Sequence, residues 1–372
     1  MKAIGIILAG GNNNRMKELT AKRAVPALPV AGSFRSIDFA LSSMSNSHIQ
    51  TVAVLTQYNA RSLNEHLSSS KWWNFGRKQG GLFLFTPTVT ADNSDWYRGT
   101  ADAMYQNIDF LKRRHEPYVI ISSGDCVYKL DFNRVLDFHI EKKSDITVVC
   151  KDMMYNDDVS RFGVVRMDDE SRITEFDEKP IEALSNTIST GIYVIRRRQL
   201  IELLEAAAEE NRFDFVNDIL VRYKNVKKIY GYKMNSYWNN IADIDAYFKT
   251  NMDFLRPDVR SYFFREEPTI CSKVDDLPPA KFNPGSDISN SLVSSGCIIN
   301  GSVEDSVLFK QVFVGKNTTV KNCVILNDVY IGDNVHLENC IVESRGTINP
   351  NTCYCGEDGV MIVKEKNVRY VI

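Results

Sequence analysis

A glycine-rich turn is the first segment of this sequence whose residue types could do chemistry. Residues 8–16 read LAGGNNNRM and follow the apolar run of residues 4–8. Glycines after a strand allow backbone N–H groups to approach a phosphate, which points to Gly10 and Gly11. An ordinary turn is the alternative, because the segment is neither a GxGxxG fingerprint nor a Walker sequence.

A carboxylate follows a second apolar run. Residues 118–122 (YVIIS) predict a buried strand, and Asp125 comes just after its carboxyl end. Parallel α/β sheets bind ligands at that edge. A carboxylate there can hold Mg²⁺ that bridges phosphates, whereas the alternative is a solvated turn aspartate.

The elements that must position these residues alternate between strand and helix patterns. Strands are predicted at residues 4–8, 51–56, 118–122 and 145–150, and helices at 101–114 and 198–210. This alternation favours a Rossmann-like α/β domain with a mixed, mostly parallel sheet over residues 1–254. Five prolines then predict a linker over residues 255–290.

The last segment, residues 291–372, carries an internal repeat of 17 residues. Three apolar columns show it: Cys297, Val314, Ile331 and Ile348; Val303, Val320, Leu337 and Tyr354; and Leu308, Ile325 and Val342. One apolar residue in every five or six predicts a triangular parallel β-helix, which resembles the left-handed hexapeptide-repeat type. An antiparallel β domain is the alternative.

Composition excludes several classes of protein. The 372 residues suit two domains, and a net charge of −2 gives no reason to expect nucleic acid or an anionic membrane as a partner. No apolar run reaches membrane-spanning length, so we expect a cytoplasmic protein. The eight cysteines favour buried thiols in a reducing compartment. A metal site at the lone CxC pair Cys353 and Cys355 is the alternative.

Several motifs resemble the ADP-glucose pyrophosphorylase (glucose-1-phosphate adenylyltransferase) family in order and spacing over nearly the whole chain. Besides the glycine turn, they are KRAVPA (22–27), FRSIDFALS (34–42), TQY (56–58), WYRGTADA (96–103), GDCVYK (124–129), FDEKP (176–180), STGIY (189–193), YW (237–238) and LPPAKF (277–282). The resemblance implies the reaction of ATP with glucose 1-phosphate, which gives ADP-glucose for glycogen and pyrophosphate. It also implies Mg²⁺ as the cofactor.

The resemblance assigns residues to three parts of a site. The nucleotide side comprises Gly10, Gly11, Arg15, Gln57, Tyr97, Gly99 and Thr100. The sugar-phosphate side comprises Glu178, Lys179, Ser189, Gly191 and Trp238, and Asp125 is the metal ligand. Thr100 as a helix N-cap, and Glu178 with Lys179 as a surface ion pair, are the alternatives.

The sequence departs from the family at positions that handle phosphate and metal. The family's loop ends Gly-Thr-Arg-Leu, whereas this chain has Asn13 and Asn14 before the arginine. The lysine of Arg-Ala-Lys-Pro-Ala is Val25, and the aspartate of Trp-Arg-Asp-Val-Gly-Thr is Asn240. A cation and a Mg²⁺ carboxylate are therefore replaced by neutral groups, which we expect to impair catalysis.

This combination resembles the GlgD-type regulatory subunit, which implies a hetero-tetramer with a catalytic subunit. The chain would sense a sugar phosphate or an anionic effector. The resemblance implies that the basic pair Lys22 and Arg23 contacts such an anion, and a solvated charged turn is the alternative. An active enzyme with altered metal ligation is the alternative. Acyl transfer on the β-helix is disfavoured, because His336 is the only histidine in the repeats.

Overall fold

The computed structural model of the protein describes residues 2–11, 14–76, 80–88, 95–155 and 157–365. Strands and helices alternate through the first domain. Its strands are β1 (Ala3–Leu8), β2 (Pro29–Val30), β3 (Phe34–Arg35), β4 (Thr51–Leu55), β5 (Gly81–Phe85), β6 (Tyr118–Ser123), β7 (Cys126–Tyr128), β8 (Ile146–Asp152), β9 (Gly163–Met167), β10 (Ile173–Glu178), β11 (Thr187–Arg196), β12 (Ile229–Lys233) and β13 (Trp238–Asn240). Its helices are α1 (Ser36–Asn46), α2 (Arg61–Leu67), α3 (Thr100–Gln106), α4 (Ile108–Lys112), α5 (Phe132–Glu141), α6 (Arg197–Glu209), α7 (Ile244–Asp253) and α8 (Pro257–Phe264).

Within the described residues, nine strands form one sheet, ordered β10-β9-β11-β6-β1-β4-β5, with β8 paired to β11 and β12 paired to β8. Strands β4 and β6 pair in parallel with β1, as β5 does with β4 and β12 with β8. Strand β11 is antiparallel to β6, β8 and β9, and β10 is antiparallel to β9. Only β10 and β11 therefore run against the other seven, which confirms the mixed, mostly parallel sheet.

Strand β1 shows how the sequence builds the two faces of the sheet. Successive side chains of a strand point to opposite faces. Ile7 accordingly packs with Val52 in the core on one face, whereas Ile4 and Ile6 belong to the core on the other. All three isoleucines are buried. A continuous aliphatic run is therefore what a strand covered by helices on both sides requires.

The helix predicted at residues 101–114 is interrupted at Asn107, which separates α3 from α4. The Asn107 amide donates to the Ala103 carbonyl at 2.8 Å and to the Tyr97 hydroxyl at 2.9 Å. An asparagine that bonds to nearby backbone competes with the helix, and this explains the break. Among the described residues, no helix combines the length and apolarity needed to cross a membrane.

Three parallel sheets form the second domain, which is fully described between residues 281 and 365. The first sheet comprises β14 (Lys281–Phe282), β17 (Ile298–Ile299), β20 (Phe313–Val314), β23 (Tyr330–Ile331) and β26 (Thr347–Ile348). The second comprises β15 (Asp287–Ser289), β18 (Ser302–Glu304), β21 (Thr319–Lys321), β24 (His336–Glu338) and β27 (Cys353–Cys355). The third comprises β16 (Leu292–Val293), β19 (Val307–Leu308), β22 (Val324–Ile325), β25 (Cys340–Val342) and β28 (Met361–Val363).

The predicted 17-residue step holds for most of this β-helix but is wrong at its second coil. Val303, Val320 and Leu337 pair in register, as expected. Val314, however, pairs with Ile299 and not with Cys297. The turn between β17 and β18 has two residues where the turn between β20 and β21 has four. Because this corner is two residues shorter, the step from β17 to β20 is two residues shorter than the predicted step of 17.

Asparagines at the corners explain how the coils stack. Asn317, Asn334 and Asn351 adopt a positive φ of 54–59°, which asparagine tolerates better than most residues. Their side chains also join neighbouring coils. The Asn317 amide donates to Asn334 at 3.2 Å, and the Asn334 amide donates to Asn351 at 3.1 Å. The repeat is therefore held by polar corners as well as by its apolar interior.

The predicted linker over residues 255–290 is longer than the segment the structure leaves irregular. Helix α8 occupies its start, and the first β-helix strands, β14 and β15, occupy its end. Pro257 is the first residue of α8, a position where the missing N–H costs nothing. Two-residue strands between polar turns also leave little apolar periodicity to detect, so the first coil was missed.

The two domains share an apolar cluster and polar contacts. Val25 and Phe39 of the first domain belong to the same buried cluster as Phe309 and Val324 of the β-helix. Arg23 also forms an ion pair of 2.5 Å with Glu343 of the β-helix, with both side chains mostly buried. The junction is therefore packed and does not behave as an open hinge.

Two adjacent isoleucines test which residue of β17 faces the interior of the β-helix. Ile299 is fully buried, whereas 38% of Ile298 is exposed. We expect Ile299→Ala to lower the free energy of unfolding by about 2–5 kcal/mol. The matched control Ile298→Ala should change it by only about 0.5 kcal/mol. Chemical denaturation measures both, and equal costs would contradict the inward orientation of Ile299.

Candidate functional site

A cavity of about 480 Å³ lies at the carboxyl edge of the sheet. It is built by the segments that follow β1, β4 and β6, which are neighbouring parallel strands. Backbone bonds fix these segments, because Ala9 N donates to the Leu55 carbonyl and Gly124 N donates to the Leu8 carbonyl. The predicted residues that line this cavity are Gly10, Gly11, Val25, Gln57, Tyr97, Gly99, Thr100 and Asp125.

The three glycines of this cavity have different reasons to be glycine. A Cβ on Gly99 would lie 2.3 Å from the Phe213 carbonyl oxygen, so close packing excludes a side chain there. A Cβ on Gly10 would lie 3.2 Å from Gln57 N, which is a tight contact. A Cβ on Gly11 meets no described atom within 4 Å. Gly11 therefore leaves open space for a ligand, as the phosphate-binding interpretation requires. Asn12 and Asn13 lie outside the described residues.

Gln57 holds the loop before α3. Its Nε2 donates to the Tyr97 carbonyl at 3.3 Å, and its Oε1 accepts from Tyr97 N at 2.8 Å. Both ends of the amide are therefore occupied by the backbone of one residue. Gln57 shapes the wall of the cavity, and a direct contact with a base would compete with these bonds.

Thr100 and Tyr97 are also tied to their surroundings. Gly99 is the N-cap residue of α3, and Thr100 is its first helical residue, so the N-cap alternative for Thr100 is wrong. The Thr100 hydroxyl accepts from Phe215 N at 2.9 Å. Burial raises the pKa of Tyr97, whose hydroxyl accepts from Asn107. These bonds fix the loop and the start of α3 at the cavity.

Sequence reasoning quoted Tyr58, Trp96 and Arg98 as motif residues but gave them no role. Tyr58 lines the cavity and stacks on Trp96 with a centroid separation of 5.9 Å. Both rings are exposed, which suits a flat partner. Arg98 is the sole basic residue among the described residues that line this cavity. Its guanidinium pairs with Asp102 at 2.9 Å and lies 3.9 Å from the Phe213 ring centroid.

Val25 occupies the wall of this cavity where the family resemblance expects lysine. It lies in the short 3₁₀ turn Val25–Ala27, and it is 4% exposed. Its neighbours in the buried cluster include Met16 and Leu28. The side chain therefore contributes to the core behind the cavity and offers no charge to a phosphate.

Asp125 and Asn240 lie close together through a short two-stranded sheet. Strands β7 and β13 are antiparallel, with Asn240 opposite Cys126, and Ile241 N donates to the Asp125 carbonyl at 2.9 Å. The two residues expected to form a metal site are therefore brought together. The Asp125 carboxylate accepts from the Ser123 hydroxyl.

The residues at this position do not fit Mg²⁺ as a pair of carboxylates would. The Asn240 Oδ1 accepts from Ala242 N at 2.9 Å, and its Nδ2 lies 3.5 Å from Cys126 Sγ. Burial, and then the Asp125 charge, raise the pKa of the Cys126 thiol well above its usual value. Because Mg²⁺ prefers oxygen ligands, the Cys126 sulfur is also a poor replacement for the missing carboxylate. Mg²⁺ prefers charged oxygen ligands, and Asp125 supplies only one.

A second cavity, of about 1,090 Å³, lies beside β13 and the start of α7. It brings together three residues predicted to bind ligand, Arg15, Lys179 and Trp238, and Asn240, which stands where the family resemblance expects a metal-binding aspartate. Arg15 was assigned to the nucleotide side but lines this cavity. The basic residues of the described lining are Arg15, Arg161, Lys179 and Lys249. Lys179 has a left-handed backbone with φ of 53°. This state is uncommon for residues other than glycine, and such residues cluster at functional sites.

Arg161 was missed by sequence reasoning, although it lines the second cavity. It forms an ion pair with Asp243, whose other carboxylate oxygen accepts from Ala246 N at 2.8 Å. Asp243 is thereby the N-cap of α7. Arginine followed by phenylalanine forms no recognisable motif, so only the fold reveals this pair.

Three predicted sugar-side residues line neither cavity. Glu178 is mostly buried and lies 3.2 Å from the Lys179 ammonium. Burial raises the pKa of its carboxyl, and Lys179 opposes that rise. The Ser189 hydroxyl donates to the Tyr193 hydroxyl at 3.3 Å. Gly191 packs against Ser123, a residue of the first cavity, and its φ of 75° favours glycine.

Comparison with known proteins agrees with this architecture. The nucleotidyl transferase family model matches residues 4–256, and the GlmU-like C-terminal hexapeptide model matches residues 278–362. The glucose-1-phosphate adenylyltransferase of Geobacillus stearothermophilus is 39% identical over 365 residues, which cover 97% of this chain and 94% of the relative. Its counterpart from Clostridium novyi (strain NT) is 38% identical over 320 residues, covering 85% and 84%. The chain belongs to the glucose-1-phosphate adenylyltransferase family.

Membership of the glucose-1-phosphate adenylyltransferase family confirms the predicted fold, a nucleotidyltransferase domain followed by a left-handed β-helix. The hexapeptide match begins at residue 278, which agrees with a first coil that starts at β14. The first cavity is lined by most of the residues predicted for the nucleotide side, and the second by Lys179 and Trp238 of the predicted sugar-phosphate side.

Gly99 and Gly11 provide a matched test of the first cavity. We expect Gly99→Ala to destabilise the fold by about 1–3 kcal/mol, because the new methyl group meets a carbonyl oxygen of the backbone. Gly11→Ala should change stability by only about 0.5 kcal/mol. Thermal unfolding compares the two variants. An unstable Gly11→Ala protein would show that Gly11 serves packing and not ligand access.

Proposed function

We propose that this chain is a catalytically impaired, regulatory subunit of glucose-1-phosphate adenylyltransferase in glycogen biosynthesis. It acts in a hetero-tetramer with a catalytic subunit of the same family. The proposal rests on the family membership and on the charges that the two cavities carry.

The observation that carries the proposal is the lack of an uncommitted cation among the described residues that line the first cavity. Val25 stands where the family resemblance expects a lysine, and Arg98 is the one basic residue of the described lining. Arg98 is already paired with Asp102. Transfer of a nucleotide requires preorganised groups that neutralise charge on the phosphates. A cavity lined in this way supports binding better than transfer.

The metal side supports the same conclusion. Asp125 keeps its carboxylate, but Asn240 presents an amide whose oxygen accepts from Ala242 N. Any Mg²⁺ bound here depends on Asp125 and on the phosphates of a ligand, so weak binding is proposed. The alternative of an active enzyme with altered ligation would require another carboxylate. Asp243 is the carboxylate nearest to Asn240 in sequence, but it forms an ion pair with Arg161 and accepts a hydrogen bond from the α7 backbone.

The sugar-phosphate side keeps its charges. Glu178 and Lys179 keep the carboxylate and the ammonium that the family resemblance assigns to the sugar phosphate, and Lys179 lines the second cavity beside Trp238. An ammonium meets a phosphate as a point charge, and a carboxylate accepts from sugar hydroxyls. We therefore propose that glucose 1-phosphate, or a related sugar phosphate, still binds.

A third cavity, of about 940 Å³ between the domains, suits an anionic effector. Seven basic and five acidic side chains belong to its described lining. Arg23 and Lys310 are neutralised by Glu343 and Asp275. Lys22, Arg345 and Lys364 form no ion pair among the described residues. Because residues of both domains line it, an anion bound there would act on the domain junction.

The activity of the chain alone tests the proposal. With ATP, glucose 1-phosphate and Mg²⁺, we expect ADP-glucose synthesis at least about 10²-fold slower than that of a catalytic relative. Adding the chain to a catalytic subunit that co-purifies with it should change the partner's rate or substrate affinity. Turnover by the chain alone at an ordinary enzymatic rate would refute the impairment. No effect on any catalytic partner would refute the regulatory role.

Restoring the lost charges tests the residues. The double variant Val25→Lys and Asn240→Asp should increase ADP-glucose synthesis by about 10²–10³, and each single variant should gain less, since such groups act together. Val25→Met with Asn240→Asp is the control, because methionine matches the length of lysine without its charge. Equal rates in the two double variants would show that the charge at position 25 is not needed. No gain in the double variant Val25→Lys and Asn240→Asp would place the defect elsewhere, for example at Asn13 and Asn14.

A further inference from the structure

Four metal-ligating side chains lie on the outer surface of the second sheet of the β-helix. His336 and Glu338 are on β24, and Cys353 and Cys355 are on the neighbouring strand β27. Residues two apart on a strand point to the same side. The register pairs His336 with Cys353 and Glu338 with Cys355, so the four form a square on one face. The expectation of buried thiols is wrong here, because Cys353 is exposed and Cys355 is partly exposed.

Two distances within this group are close to the edges of a tetrahedral metal site. The ligand atoms of His336, Glu338 and Cys355 all lie within 4.8 Å of one another. The histidine Nε2 is 3.5 Å from the Glu338 carboxylate, and the two sulfurs are 3.6 Å apart. Tetrahedral Zn²⁺ with bonds of about 2.3 Å to sulfur and 2.0–2.1 Å to nitrogen or oxygen requires edges of about 3.8 and 3.3–3.4 Å.

We propose that His336, Glu338, Cys355 and Cys353 bind a divalent transition metal, for which Zn²⁺ is the best match. Three of the ligands are already within reach of one ion, and rotation of the exposed Cys353 side chain completes the set. Thiolate and imidazole ligands select Zn²⁺ over Mg²⁺ or Ca²⁺, which prefer oxygen. The site therefore differs in chemistry from the carboxylate at Asp125, and it does not depend on the proposed function.

The position of the site gives it a physical consequence. Strand β27 is the last strand of its sheet, so one of its edges has no strand partner in the described chain. An ion held by β24 and β27 would join the terminal coil to the coil before it. Bound Zn²⁺ should therefore stabilise the end of the β-helix against local opening.

Zinc titration of the full, reduced chain tests the proposal. After chelator treatment, we expect one Zn²⁺ per chain in competition with a chromophoric chelator. Co²⁺ in its place should give the absorption of a tetrahedral thiolate complex. Cys355→Ser and His336→Ala should each weaken the affinity at least about 10-fold. Cys271→Ser is the matched control, since Cys271 is an exposed cysteine outside the site, and it should leave the affinity unchanged.

Three results would overturn the proposal. The first is Zn²⁺ binding by Cys355→Ser that equals binding by Cys271→Ser. The second is a Co²⁺ spectrum without thiolate ligation. The third is a Cys353–Cys355 disulfide in protein kept under reducing conditions, detected by mass spectrometry. Hydrogen exchange adds an independent readout, because Zn²⁺ should slow exchange of the β27 amides in the wild type and not in Cys355→Ser.

Discussion

The parallel pairing of β6, β1 and β4 is the constraint on which the candidate site depends. The segments that follow parallel strands all lie at the carboxyl edge of the sheet, and here three such segments meet. The bonds that hold them are backbone bonds, such as Gly124 N to the Leu8 carbonyl. Backbone bonds do not require a particular side chain. The form of the cavity therefore does not depend on Val25, the residue that stands where the family resemblance expects a lysine.

Val25 also shows how a lost charge can benefit the fold. Its side chain packs in a cluster that includes Phe39 and, from the β-helix, Phe309. A lysine at this position would have to lead its ammonium past that apolar cluster into the cavity. Charged groups at active sites commonly reduce stability, and their loss relieves that cost. The valine is therefore compatible with a closely packed junction between the two domains.

Local patterns in the sequence predicted the elements better than the contacts between them. Four strands, β1, β4, β6 and β8, were predictable from their aliphatic runs, because burial on both faces imposes a local pattern. The β-helix was predictable from its 17-residue period, because the stacking of coils also imposes one. The break at Asn107 and the register at Cys297 were not predictable from periodicity, because one depends on a side-chain bond and the other on the length of a corner.

The sequence predicted which residues belong to the site better than it predicted what each of them does. The residues of the first cavity were named from motifs, but the bonds of Gln57 to Tyr97 and of Thr100 to Phe215 show that several act on the loop. Arg161 belongs to no motif, and its partner Asp243 is 82 residues away in the chain. Such pairs exist only once the fold brings distant segments together.

The corners of the β-helix differ in length, whereas the strands of each sheet stay in register. The corner after β17 has two residues, and the one between β27 and β28 has five where the preceding coil has a single residue. The strands of the three sheets remain paired despite these differences in corner length. Corners are therefore the natural insertion points of this domain, and the one at residues 356–360 could carry an affinity tag or a fluorescent reporter while the coils on either side remain intact.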